Sequence, residues 1–450
     1  MTDPVRTAAA PSGQPVSGSA IYALIALLLA YILSFVDRNV MAVLIGPIRQ
    51  DFAISDFQYS LLHGFAFSMF YIFLGLPIAR IADRGSRKWV ITVGVLCWSL
   101  MTCLCGLAKS FGSLFAARVG VGVGEAALSP PAYSLLSDYF SSDNLPRAMA
   151  IYTLGITLGG GLAYIIGGEV YEYFNAAGPM VLPVVGELGA WQVTFVVVGL
   201  PGFLLVGMLA LMVEPVRKGG SQEVGEYALT EIGQHLRAHW RAYGGLILGV
   251  SLLSVLGYGT MAWYPEYLIR THAMNRADAG SSFGLIFILA GSAGTLVGGF
   301  SAKPLLDRGY HDASLRLIIA IALLWLVPAT LGPRASSASL ALVAAVPIVF
   351  FLNSYFALSI AALQRITPNR MRAQVSALML FMTNLFGLAL GPTAVASLTD
   401  FVFKDDAALA QSLAVLPLLV CPAAAALVFW SLRDWRHALA EAEPGLGVRA

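Results

Sequence analysis

The stretch "ADRGSRK", residues 82–88, returns in altered form as "LDRGYHD", residues 306–312. Its Asp-Arg-Gly core stands at Asp83-Arg84-Gly85 and again at Asp307-Arg308-Gly309, 224 residues apart. A second echo keeps the same offset to within one residue. "LPRAMA" carries Arg147-Ala148, and "RMRAQV" carries Arg372-Ala373, 225 residues on. Either echo alone is weak. Two at one offset read as a duplicated unit that fills about half the chain.

The surroundings of the echoes say what kind of unit this is. The 450 residues are 58% hydrophobic and only 12% charged, with mean hydropathy +0.76. Soluble domains carry about 25% charged residues. Crossing a bilayer takes about 20 mostly apolar residues, and twelve runs qualify. They are 21–48, 57–78, 89–107, 111–136, 148–166 and 191–213, then 246–268, 282–300, 317–331, 340–363, 375–396 and 409–432. Most have no polar face, so a soluble helical core is excluded. Helices are the expected spanning form, because barrel strands are short and alternating. The ninth run is the shortest.

Basic residues give the expected orientation. Of the 27 Lys and Arg residues, nineteen fall in the tails and in loops of one face, Arg80, Arg84, Arg87 and Lys88 among them. Six fall on the other face: Arg49, Lys109, Arg270, Arg276, Arg334 and Lys404. The excess predicts that the first face and both termini are cytoplasmic, as an inner-membrane, multi-pass protein requires. Residues 1–20 read as a disordered tail, not as a signal peptide. Residues 21–213 and 246–432 form the six-span halves, and 433–450 a second tail. Between the halves, 214–245 is the longest polar stretch; Leu229, Ile232, Leu236, Trp240 and Tyr243 recur in it at helical spacing. This fits a short amphipathic helix at the interface or a flexible linker.

Some classes fall away. A net charge of +2 argues against nucleic acid as a partner. Cys97, Cys103, Cys105 and Cys421 lie within apolar runs without metal-ligand spacing, so neither a disulfide nor a metal site is expected. The glycines at 120, 122 and 124 do not form a nucleotide fingerprint and suit close helix packing instead. No hydrolase, zinc-protease or P-loop pattern is present, so an enzyme is not expected, and no cofactor is implied.

The stretches "ARIADRGSRK" (79–88) and "GITLGGGLAYIIGG" (155–168) resemble loop and fifth-span signatures of the major facilitator superfamily, over essentially the whole chain. Ala79 stands where the loop signature has glycine, Gly85 sits one place early, and the fifth-span motif lacks its proline. "FVDRNVMAVLIGPI" (35–48) and above all "RVGVGVGEAALSPPAYSLLSDYF" (118–140) are similar to the spinster-like branch. The resemblance implies twelve transmembrane helices in two six-helix repeats, with the substrate near the midplane between them. It implies that spans 1, 4, 7 and 10 line the cavity. It also makes a lysolipid or sphingoid lipid the leading substrate class, with organic anions, sugar acids or drugs as the alternative within carriers. A passive scramblase or channel is the alternative outside them. A monomer is expected.

Four charges fall inside two cavity helices: Asp37 and Arg38 in span 1, Arg118 and Glu125 in span 4. Charges at such depth face a protein interior or a water cavity. At 1.5 Å per residue, Asp37 and Arg118 come to similar levels and Glu125 lies roughly 10 Å deeper. Depth therefore predicts an Arg118–Asp37 pair, with Arg38 free to approach Glu125 when the helices move. The repeat places Met261, Ala262, Leu342 and Val349 at the equivalent positions of the second half. That asymmetry suits proton coupling, since an apolar setting favours a neutral carboxylate; a structural salt bridge is the other reading. His63 is a candidate relay or a plain packing residue. Tyr258, Trp263 and Tyr264 of span 7, Asn353 and Tyr355 of span 10 and Asn384 of span 11 are candidate cavity residues or packing aromatics. Asp83, Arg84, Arg87 and Arg372 are expected to form a conformational latch between span 2 and span 11, or a stop-transfer charge cluster.

Overall fold

The computed structural model describes residues 16–141, 143–183, 186–217 and 229–443. Twelve helical spans are present among them: Gly18–Val43, Asp56–Gly75, Arg87–Gly106, Phe111–Tyr139, Leu145–Ala177, Ala190–Leu211, Trp240–His272, Arg276–Asp307, Ala313–Arg334, Ala338–Arg365, Asn369–Phe403 and Asp406–Ala442. They are numbered 1 to 12 below. The protein is a multi-pass membrane protein. The start of span 1 and the end of span 12 share one face, here the terminus face; the opposite one is the far face.

Local chemistry sets the helix ends. Spans 1, 2, 3, 4, 8 and 10 each begin behind a Ser or Asn whose side chain accepts a first-turn amide, which satisfies donors that would otherwise be unpaired. The 21–48 run is cut near Leu44. A 3₁₀ turn Val40–Val43 follows the α-helix, and a separate helix Ile45–Phe52 then starts with Pro47 in its first turn. Span 9 is longer than its apolar run, because Gly332–Arg334 adds a 3₁₀ turn. Span 12 continues as helix to Ala442, into the predicted tail. Helix Leu229–Ala238 is present in the linker, with Ile232 buried, but it stops short of Trp240 and Tyr243, which belong to span 7; residues 218–228, 1–15 and 444–450 lie outside the described residues. A small hairpin, Met180–Leu182 with Gly186–Leu188, joins spans 5 and 6 on the far face.

The halves meet along two crossings. Span 5 lies on span 8 at backbone contact: a Cβ on Gly161 would stand 2.6 Å from the Gly284 carbonyl oxygen, and one on Gly284 2.5 Å from that of Gly161. Span 2 lies on span 11 through π-helical turns in each, Leu61–Phe65 and Leu385–Leu390. The hydrogen bonds and ion pairs found between the halves lie on the far face and at mid-depth. Those found on the terminus face stay within one half. Among the described residues the polar fastening between the halves is thus confined to the far face and mid-depth, and the terminus face has none; towards that face spans 2 and 11 still touch through the Phe73 and Phe381 rings, 5.9 Å apart.

Candidate functional site

Span 4 changes course where the function is expected. Pro130 and Pro131 cannot donate amides to the turn before them. The chain answers with short-range bonds, Ala127 to the Gly124 carbonyl at 3.2 Å and Leu128 to the Glu125 carbonyl at 3.1 Å. Glu125 therefore closes one helix, Phe111–Glu125, and Ser129–Tyr139 begins another. Gly122 and Gly124 let the first of these lie against its neighbours: a Cβ on Gly122 would be 2.4 Å from the Phe67 carbonyl oxygen, and one on Gly124 2.6 Å from the Trp98 amide. Span 1 likewise has Asp37 and Arg38 in the last turn of its α-helix, just ahead of the 3₁₀ turn.

These two breaks bring the four charges together. Arg38 donates to Glu125 at 2.6 Å, with side chains 9% and 1% exposed. Arg118 is buried and donates to the main-chain carbonyl of Asp37 at 3.2 Å. The Asp37 carboxylate is buried, with Thr102 in reach but neither oxygen in a well-formed hydrogen bond among the described residues, and Glu125 Oε1 likewise makes no well-formed bond. The depth argument thus placed Arg118 beside Asp37, but through the backbone. The ion pair in this conformation is Arg38–Glu125.

An aromatic shell surrounds the cations. The Arg38 guanidinium lies 4.8 Å from the Phe35 ring, 4.6 Å from Phe67 and 5.0 Å from Tyr71. Arg118 faces the same Phe67 ring at 5.5 Å. Such faces attract a desolvated cation by about 2 kcal/mol. Phe67 and Tyr71 were not singled out in the sequence. Their signal is the i, i+4 series Tyr59, His63, Phe67, Tyr71, which marks one face of span 2. His63 stands in that series, half-buried, its ring 6.2 Å from Tyr59.

The second half contributes less than expected. Trp263 and Tyr264 are buried and donate to the Pro392 and Ala341 carbonyls at 2.9 and 2.7 Å; they pin span 7 to its own half. Tyr355 is buried against Ser254 at 3.2 Å. Asn353 bonds the Val349 carbonyl in its own helix at 2.9 Å. Asn384 is half-buried where span 11 enters its π-turn. Tyr258 is half-buried and within electrostatic reach of Arg38, so it carries the second half to the charge cluster.

The expected latch residues do not meet. Asp83 is exposed, and Arg372 donates to the Thr367 carbonyl of its own half at 3.1 Å. Arg84 is exposed too. Arg87 is 2% exposed and bonds Asp138 and Ser134 of the first half and Glu214 at the start of the linker. On this face the polar bonds found among the described residues stay within one half, so each latch residue has turned to a partner of its own half or to solvent. Arg217, one of the basic residues of the terminus face, caps the end of the helix that carries span 2 through the Ala82 carbonyl at 2.7 Å and that of Gly85 at 2.8 Å.

Comparison with known proteins agrees with this architecture. The Major Facilitator Superfamily sequence model matches residues 27–392. An "MFS-type efflux pump" of Mycolicibacterium smegmatis is 30% identical over 91% of this chain and 92% of its own. "Protein spinster" of Drosophila melanogaster is 26% identical over 83% of this chain and 61% of its own. A solved bacterial homologue of the human lysosomal transporter Spinster, inward-facing and unoccupied, superposes with TM-score 0.75 at 26% identity over 97% of this chain and 99% of that one.

Proposed function

The chain belongs to the Major Facilitator Superfamily and is related to the spinster proteins, and from that premise we propose that it is a proton-coupled carrier of an amphipathic, lipid-like substrate. In this reading it works by alternating access as a single chain in the inner membrane, with the terminus face cytoplasmic. The observation that carries the reading is the buried Arg38–Glu125 pair beside a buried Asp37 carboxylate that makes no ion pair among the described residues. A proton on Glu125 cancels its attraction for Arg38. The guanidinium then rests among Phe35, Phe67 and Tyr71, or turns to Asp37. Either move alters the packing of span 1 on spans 2 and 4, and Tyr258 transmits it to the other half. Substrate and proton are coupled because both act on one small cluster.

The substrate class is supported by the tyrosines beside the charge cluster. Tyr31 stacks on Tyr152 at 4.5 Å, and Tyr133 meets Tyr152 edge-on at 5.5 Å. Tyr31 and Tyr152 are buried in this conformation, while Tyr133 and Tyr71 keep some exposure; an exposed ring face with a hydroxyl tip suits a chain with a polar head. The efflux pump at 30% identity favours a second reading, export of drug-like organic molecules. Purified protein in vesicles with an imposed pH gradient tests both. A fluorescent lysophospholipid should accumulate in a gradient-dependent way, and a drug-like cation or a sugar acid should not. Lipid movement indifferent to the gradient identifies a scramblase and overturns the proposal.

A further inference from the structure

On the far face each half lends the other a carboxylate. The amide of Phe57, in the first turn of span 2, donates to Asp400 at the end of span 11, at 2.7 Å. The amide of Arg276, at the start of span 8, donates to Glu172 near the end of span 5, at 2.9 Å. Spans 2 and 8 are equivalent in the repeat, as are spans 5 and 11. The two contacts are therefore one arrangement used twice: a helix start in one half capped by a carboxylate of the other. First-turn amides lack partners within their own helix, and the positive end of the helix favours an anion.

Between these caps lies an ion pair built to exchange partners. Asp56 is buried and receives two bonds from Arg270 of the other half, both at 2.8 Å. Asp56 also has Arg49 of its own half at 3.0 Å, and Arg270 has Glu266 of its own half at 2.7 Å. When the halves separate, neither charge is stranded. That matters because a buried charge left alone is costly. The freed amides would face water, which satisfies them. Asp56, Asp400 and Asp406 come within 4.8 Å of one another; Arg49 bonds Asp56 and Asp406, and Arg270 bonds Asp56, which offsets part of that charge.

We propose that the reciprocal caps Asp400 and Glu172, with the Asp56–Arg270 bridge, form the far-face gate, and that Arg49 and Glu266 are holding partners that make it reversible. The inference rests on the alternating-access reading. It predicts opposite effects from two kinds of variant. Asp400→Ala and Glu172→Ala remove the caps and should raise the far-face-open population, each on the order of tenfold. Glu266→Gln removes a holding partner and should lower it, because Arg270 then loses a full charge on leaving Asp56. A purely structural role would not give opposite signs.

The test uses the full chain with its four cysteines replaced and spin labels at Ala177→Cys and Ser336→Cys, one on each half of the far face. Distances are measured between the labels by double electron–electron resonance in lipid nanodiscs. Glu187→Ala, an exposed carboxylate on the same face, serves as the control. Thermal unfolding confirms that each variant is folded. Longer distances in the cap variants, with shorter ones in Glu266→Gln, support the gate. Two populations in the parent, unchanged in every variant, overturn the gate and leave alternating access standing. One closed population in all proteins, at every pH and with or without lysophospholipid, overturns both.

Discussion

Glu125 and Phe67 are the residues on which the proposed cycle turns, and each makes a separate prediction. Glu125→Gln keeps an acceptor for Arg38 but not the charge. The expected loss of stability is about 1–3 kcal/mol, against about 3–5 kcal/mol for Glu125→Ala, which strands the guanidinium. Thermal unfolding in detergent measures both. In vesicles, Glu125→Gln should abolish gradient-driven accumulation while downhill exchange survives. Retention of the parent's pH dependence would make Glu125 a structural residue. Phe67 presents one ring to two guanidiniums, at 4.6 and 5.5 Å. Phe67→Leu keeps apolar volume and removes that ring face, so it should cost about 1–2 kcal/mol. Tyr71→Phe, which keeps its ring, should cost much less. Equal losses for the two would reject the cation–aromatic account.

At the scale of elements, the repeat preserves a brace while reversing its charges. In the first half Arg87, opening span 3, meets Glu214 beyond span 6. In the second half Asp312, just before span 9, meets Arg436 near the end of span 12 at 2.6 Å. Burial alone would raise both carboxyls. Hydrogen bonds from the Ser86 hydroxyl and from Arg87 instead hold Glu214 below the usual carboxylate range. Arg316 and Arg436 do the same for Asp312. Since the unfolded chain binds these protons more readily, the braces contribute fully above the ordinary carboxylate values, about 3.9–4.3. Their contribution is lost as pH falls below that range. The unfolding temperature should therefore be flat near neutral pH and drop below about pH 4. Glu214→Gln together with Asp312→Asn should flatten that acid-side drop. An unchanged acid limb would place the sensitivity elsewhere.

For the whole molecule the prediction concerns which face is which. Val216 and Ala177 are exposed on opposite faces. With the native cysteines replaced, Val216→Cys should react with an impermeant thiol reagent only from the cytoplasm, and Ala177→Cys only from outside. Reaction of both from one side would be incompatible with the orientation drawn from the basic residues. With that orientation, the present conformation, fastened on the far face, would be one that opens toward the cytoplasm. Asp83 and Arg372 would then meet only when that face closes. A cross-link between cysteines at these two positions should form in the outward-open state and not in this one.

The spans, their number, the two-fold repeat and the four intramembrane charges were legible in the chain, because bilayer thickness and the cost of burying charge act residue by residue. Close packing at Gly122 and Gly124 was legible for a similar reason: small residues in a row leave room for a backbone. Partners were not. Depth put Arg118 level with Asp37, but helix rotation and the turns broken by Pro130 and Pro131 decided that Arg38 holds Glu125. The ring faces of Phe67 and Tyr71 became meaningful only once span 2 lay against spans 1 and 4. The far-face bonds of Phe57 to Asp400 and Arg276 to Glu172 join residues far apart in the chain. Local propensity carries no information about such contacts; they exist because two halves pack in one arrangement out of the several that the same twelve helices allow.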